Sequence, residues 1–209
     1  EISVGLIKKE IDNFNPSKAG GEKFSRAIIT TDSKTKNICI EVKTSKGMFK
    51  IGGVAKGSGM VHPKMGTMLG YITTDALVDS KTLTDTLRKS VDISFNQIDI
   101  DGDTSTNDTV IIMANGMSGQ EIKNETDKKI FSEAIDYVSK FLARLIAEDG
   151  EGISHLITTE VAGAINDDDA LKISNAVISS SLVKTAVFGK DPNWGRIMMA
   201  IGNADAEMN

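Results

Sequence analysis

The chain has 209 residues, a formal net charge of −5 and a hydrophobic fraction of 40%. That length supports a substantial core in one large or two small domains, and the acidic balance leaves no electrostatic footprint for nucleic acid. The single cysteine, Cys39, excludes an internal disulfide and fits a reducing, cytoplasmic setting, while no apolar run approaches membrane-spanning length.

Residues 6–12, "LIKKEID", read as the end of a helix, which "NPSKAGG" breaks before "EKFSRAII" resumes it with Phe24, Ala27 and Ile28 on one face. "NICIEVKT" alternates Ile38, Ile40 and Val42 with polar neighbours and predicts a half-buried strand. "SKG" at 45–47 turns it back into "MFKIGG", giving a hairpin. Cys39, in an apolar setting, is expected to be a buried structural thiol. "MLGYI" at 68–72 reads as a buried strand. Leu83, Leu87 and Val91 at helical spacing predict a helix capped by Asp79 or Ser80. "TVIIMAN" is a strand. A weak boundary is expected in the polar stretch 117–125.

A long helix is predicted over 127–147, with Ile130, Ala134, Tyr137, Val138, Phe141, Leu142 and Leu145 forming its apolar stripe. "DGEG" at 149–152 stops it. "ISHLITTEVAGA" is expected to be a strand, "DDDALKISNAVISSS" a helix with acidic residues at its positive end, "VKTAVFG" a short strand, and "NWGRIMMAIG" a last short helix. Helices and strands alternate with hairpins between them, which favours a layered, mixed α/β fold.

Several motifs invite chemistry. "GGVAKGSG" and "GKDPNWG" lack the order of a phosphate loop, in which Gly-Lys-Ser/Thr opens a helix. "DIDGDTSTND" offers Asp99, Asp101 and Asp103 as calcium ligands, but its spacing fits a calcium loop poorly. A loop whose side chains bond their own backbone is the preferred reading. His62 and His155 are the only histidines and lie far apart, so no zinc site is expected. Each is read as a satisfied or exposed histidine, although His62 stands close enough in sequence to Thr67 to act as its base. Glu148, Asp149 and Glu151 crowd a helix end between glycines. A solvated cap turn and a site where Glu151 holds a cationic substrate group are equally good readings.

Thr67 is the sharpest feature. It follows Gly66 at the junction of a glycine-rich loop and an apolar strand. As an internal residue its hydroxyl is a weak nucleophile. As an N-terminal residue it would carry its own base, because an α-amine titrates near neutrality within reach of the hydroxyl. Gly66 lets the chain bend so that the hydroxyl can attack the preceding carbonyl.

"GGVAKGSGMVHPKMGTMLGYITTDA", "DGDTSTNDTV", "DGEG" and "KTAVFGKDPNWGRI" together resemble the glutamate N-acetyltransferase / ornithine acetyltransferase family of arginine biosynthesis, over nearly the whole chain. The resemblance implies self-cleavage between Gly66 and Thr67, with Thr67 as nucleophile. It also implies substrate binding by Thr67, by Lys56, by Thr30 (Thr31 if the register slips by one) and by Glu151. The family more often has Ala at the place of Gly66, and Ala-Thr-Lys where this chain reads Ile153-Ser154-His155. The family's oxyanion Thr-Gly pair is expected upstream of Glu1, and its last substrate contacts beyond Asn209. The chain is thus expected to be the central part of a longer protein.

The implied chemistry is acetyl transfer from N-acetylornithine to glutamate through an acetyl-threonine. Some family members also take acetyl from acetyl-CoA. No metal or organic cofactor is implied. The implied fold is a layered α/β sandwich of the ornithine acetyltransferase/DmpA-like type. Residues 1–66 and 67–209 would belong to its two cleavage products, in a heterotetramer of two of each, with neither nucleic acid nor membrane as a partner. A self-processing N-terminal-nucleophile amidase or aminopeptidase and a calcium-binding module are the alternatives.

Overall fold

The computed structural model describes residues 3–17, 19–62 and 68–207. One mixed sheet organises the chain. Its strands are β1 (Lys36–Lys43), β2 (Met48–Lys56), β3 (Leu69–Thr74) and β4 (Thr109–Ala114), adjacent in that order. β1 and β2 form the predicted hairpin, closed by Thr44 N–H to Gly47 O at 2.8 Å. β2 and β3 are antiparallel, and β3 and β4 are parallel. The parallel pair needs a crossover, which α3 (Ser80–Asp92) supplies. Asp79 caps α3 by accepting the Thr82 N–H at 2.9 Å.

The long helix α4 (Glu125–Ala147) packs on β1, β2 and α3. Its start is fixed by Asn124, which accepts the Asp127 N–H at 2.9 Å while the Asp127 carboxylate takes the Asn124 amide at 2.6 Å. The first bond satisfies one orphan backbone donor of the helix start, and the second holds the capping side chain in place. Phe131, Ile135, Val138, Leu142 and Ile146 are fully buried against Phe49, Ile51, Ala55 and Ile72 of the sheet, each contributing roughly 1.5–3 kcal/mol. The predicted stripe is rotated from this row. Tyr137 is 56% and Phe141 37% exposed, because the apolar arc is wider than the sheet contact, and only its 131–146 side meets the strands.

Before the sheet lie α1 (Val4–Asp12), with no buried residue, and α2 (Gly20–Ala27), whose Phe24 stacks edge-on against Tyr71 at 5.1 Å. After α4 come α5 (Asp167–Ser179), α6 (Ser181–Phe188) and α7 (Trp194–Gly202). Val177, Val183 and Ala200 give these three helices a small second core.

Four expectations need correction. Residues 183–189 are helical, not a strand: Ser180 caps α6 by accepting the Val183 N–H at 3.3 Å, and packing on α7 overrides the β-branched composition. Residues 153–164 form no strand: they find no strand to pair with among the described residues. Cys39 is exposed: period-two alternation turns it away from Ile38 and Ile40, which pack toward α4. The stretch 117–125 is not a boundary. Leu77 exchanges hydrogen bonds with Gln120 O and the Ile122 N–H at 2.9 and 2.8 Å, and Ile122 enters the main core.

Candidate functional site

Three loops meet at the end of β2. The first, residues 30–35, precedes β1. The second, residues 57–62, leaves β2 after Lys56. The third, residues 149–152, leaves α4. Their meeting point is Lys36, whose ammonium is 0% exposed and lies 2.5 Å from Asp32 Oδ1 and 2.6 Å from Asp149 Oδ2. A lysine is almost never buried unless paired, and here both partners are buried as well.

The carboxylates also hold backbone. Asp32 accepts the Gly57 N–H at 2.8 Å and the Thr30 N–H at 3.3 Å. Asp149 accepts the Ser33 N–H at 3.1 Å and the Ser33 hydroxyl. Burial pushes each carboxyl up, but the bonds to Lys36 and to these donors outweigh it, so both titrate below the usual 3.8.

Of the sequence-predicted residues, Thr30 is exposed at the first loop, with its N–H on Asp32. Lys56 is half-buried and faces away from Ala55, hence away from α4. Glu151 is exposed, but its N–H donates to Ser58 O at 2.8 Å and its carboxylate lies against Gly59. A Cβ on Gly59 would sit 3.0 Å from the Glu151 carboxyl carbon, so that glycine permits the approach. The fold thus gathers the segments of Thr30, Lys56 and Glu151, which the sequence keeps far apart. Thr67 and Gly66 lie outside the described residues. Their downstream neighbour is held: the Met68 N–H donates to Asp108 Oδ1 at 2.8 Å, and Leu69 pairs with Lys56 across the sheet. Burial pushes Asp108 above 3.8, with the Met68 N–H and the Lys56 charge pulling the other way.

The acidic loop works as a set of staples. Asp101 accepts the Met60 N–H at 2.5 Å, the Val61 N–H at 3.1 Å and its own loop's Asp103 N–H at 3.2 Å. Met60 has φ 56°, a left-handed conformation that a non-glycine residue holds only when its surroundings impose it. Asp99 is buried among His62 Nδ1 at 2.5 Å, Ser179 Oγ at 3.1 Å and the Lys184 ammonium. Of the carboxylates of a calcium reading, Asp99 and Asp101 are therefore engaged, Asp99 by a lysine, a histidine and a hydroxyl and Asp101 by backbone amides. Among the described residues no three His, Cys, Asp or Glu side chains converge on a metal position. His155 is exposed beside Ser154 Oγ at 2.8 Å.

The crowd of carboxylates at the end of α4 is compensated: Glu148 meets Arg144 at 2.7 Å and Asp149 meets Lys36. Beside Glu151 a cavity of about 560 Å³ opens between the end of α4, the 151–159 segment, α5 and α6, with Ile98, Arg144, His155, Ile178 and Phe188 in its walls. Sequence reasoning missed Lys36, Asp32, Asp108 and the structural share of Asp149. Only the "TTDSKTK", "DIDGDTSTND" and "DGEG" strings marked them, and none of these strings shows which residues meet.

The ArgJ family model matches residues 1–209. An arginine biosynthesis bifunctional protein ArgJ of Geobacillus kaustophilus is 50% identical over 193 residues, covering 91% of this chain and 47% of that relative. A glutamate N-acetyltransferase of Methanocaldococcus jannaschii is 45% identical over 214 residues, covering all of this chain and 53% of that relative. The chain thus spans about half the length of the curated relatives it matches. The crystal structure of the arginine biosynthesis bifunctional protein ArgJ from Bacillus halodurans shares the mixed α/β fold, with TM-score 0.62 and 41% identity over 68% of each chain. In the described residues no helix is long and apolar enough to cross a membrane. With its motifs in order and the family matched from end to end, the chain belongs to the ArgJ family.

Proposed function

We propose that this chain carries the acetyl-transfer chemistry of arginine biosynthesis, moving acetyl from N-acetylornithine to glutamate in the cytoplasm. Thr67 Oγ first attacks the Gly66 carbonyl. The Gly66–Thr67 amide breaks to an ester, and water opens the ester to leave a Gly66 carboxylate and a free Thr67 α-amine. In the transfer itself Oγ attacks the acetyl carbonyl, and its proton passes to the α-amine. That proton then leaves with the ornithine amine. The glutamate amine next takes the acetyl group from Thr67 by the reverse path. Acetyl-CoA is a second acetyl donor open to the same nucleophile. The steps need no metal or organic cofactor.

Lys56 pairs a substrate carboxylate, Glu151 an ammonium group, and Thr30 supplies a hydroxyl contact. The two products, residues 1–66 and 67–209 with any flanking sequence, form one layered sandwich and assemble as a heterotetramer of two of each. The observation that carries the reading is the gathering of the Thr30, Lys56 and Glu151 segments around Lys36, in a chain 45% identical to a glutamate N-acetyltransferase. The test is to incubate the complete gene product with N-acetylornithine and glutamate and to measure N-acetylglutamate against free acetate. Transfer should dominate and require glutamate. Release of acetate at the same rate without glutamate would make the protein a hydrolase of the amidase kind.

A further inference from the structure

We infer that the buried Lys36–Asp32–Asp149 triad is a positioning device that fixes the three substrate-side residues Thr30, Lys56 and Glu151 in one frame. The inference rests on reading those three as substrate-binding.

The triad makes a poor case as a stability element alone. Burying three charges costs much of what their attraction returns, and an apolar trio of similar volume often folds as well. What charges supply that apolar groups do not is direction. Each carboxylate has oxygen lone pairs beyond those Lys36 uses: Asp32 spends its own on backbone at or beside Thr30 and Lys56, and Asp149 spends its own on the Ser33 N–H and hydroxyl, in the loop that carries Thr30. Asp32 takes the N–H of Thr30 itself at 3.3 Å and that of Gly57, the residue after Lys56, at 2.8 Å. Asp149 stands two residues before Glu151. Its carbonyl accepts the Ser58 hydroxyl at 2.8 Å, and Ser58 O accepts the Glu151 N–H at 2.8 Å, so a two-bond ring locks the third loop to the second. Lys36 joins the halves and reaches Lys34 O at 3.4 Å. None of the three triad side chains is exposed enough to meet substrate, so the triad acts through its neighbours.

The test uses the complete gene product and reads KM and kcat for N-acetylornithine and glutamate beside thermal unfolding. Asp149→Asn should raise KM on the order of ten- to a hundred-fold, the scale of a small misplacement of binding groups, with a smaller change in kcat. Ser58→Ala, which leaves every charge in place, should raise KM about five-fold, the size of one hydrogen bond. The triple variant Asp32→Asn, Lys36→Met, Asp149→Asn keeps shape without charge and guards against misfolding. It should fold, yet raise KM as Asp149→Asn does. Combined with Glu151→Gln it should raise KM less than the product of the separate effects, because both act on the same contact.

A folded triple variant and a Ser58→Ala variant with unchanged KM would overturn the inference, as would effects that multiply fully with Glu151→Gln. Glu151→Gln alone separates the two levels. If it leaves KM unchanged, the substrate reading fails. If it raises KM while the triad variants do not, only the positioning role fails.

Discussion

Gly53 sits where β2 presses on α4, and replacing it with alanine tests the packing that carries Lys56. A Cβ there would lie 2.8 Å from Leu142 Cδ1, 2.8 Å from Val138 Cγ1 and 3.4 Å from Ile38 Cγ2. Carbons at rest sit about 3.5–4.0 Å apart, so two contacts overlap by roughly 0.7–1.2 Å. Neither neighbour can swing aside: both are fully buried, and valine is stiff at χ1. Overpacking of this kind costs about 1–3 kcal/mol. Against it, Ala restricts the unfolded chain by about 0.4–1 kcal/mol in favour of folding, since Gly53 is not at positive φ. The net loss is about 1–2 kcal/mol, which for a chain of this size lowers Tm by about 2–8 °C. Scanning calorimetry of wild type, Gly53→Ala, Val138→Ala and the double variant measures it. Val138→Ala should cost less in the Gly53→Ala background than in wild type, because it removes one overlap. A Gly53→Ala protein as stable as wild type, or strict additivity with Val138→Ala, would refute the reasoning.

Acid should weaken the fold through Asp32 and Asp149. Both titrate below 3.8 when folded, so the folded state binds fewer protons than the unfolded one. Their stability is therefore full above about pH 4 and is lost as pH falls through the lowered folded values. In Lys36→Met this dependence on acid should shrink, since the Lys36 bonds and charge no longer hold the carboxyls down, while burial still raises them and the Gly57, Thr30 and Ser33 donors still lower them; urea unfolding across a pH series reads this directly. Asp101→Ala should release Met60 from its left-handed conformation and speed amide hydrogen exchange at residues 60 and 61, while Tm moves by only a few degrees. Thr67→Ala should stay in one piece on a denaturing gel while wild type is cut, because no hydroxyl remains to attack Gly66.

The strands and most helices were legible because their signals are local. The alternation of Ile38, Ile40 and Val42, the Asp79 cap and the apolar row of the long helix each sit in one short window. The failures came where a neighbour decides. Residues 153–164 have strand composition but find no strand partner among the described residues. Residues 183–189 have β-branched residues but a serine cap and a helix to pack on. Cys39 was misread from its apolar flanks when its own alternation already pointed outward. In the candidate site Thr30, Lys56 and Glu151 were named by the family motifs as the residues expected to face substrate. Their support was not, since Lys36 and Asp149 are 113 residues apart and only the fold shows that they touch.

The central claim is that acetyl passes through Thr67. Incubating the complete gene product with N-acetylornithine alone, then digesting and sequencing it by mass spectrometry, tests this most directly. The account predicts a chain that begins Thr-Met-Leu-Gly at Thr67 and gains one acetyl group on the Thr67 hydroxyl, which added glutamate removes as N-acetylglutamate. An uncut Gly66–Thr67 bond in a protein that still transfers acetyl, or an acetyl group trapped on another residue, would contradict it.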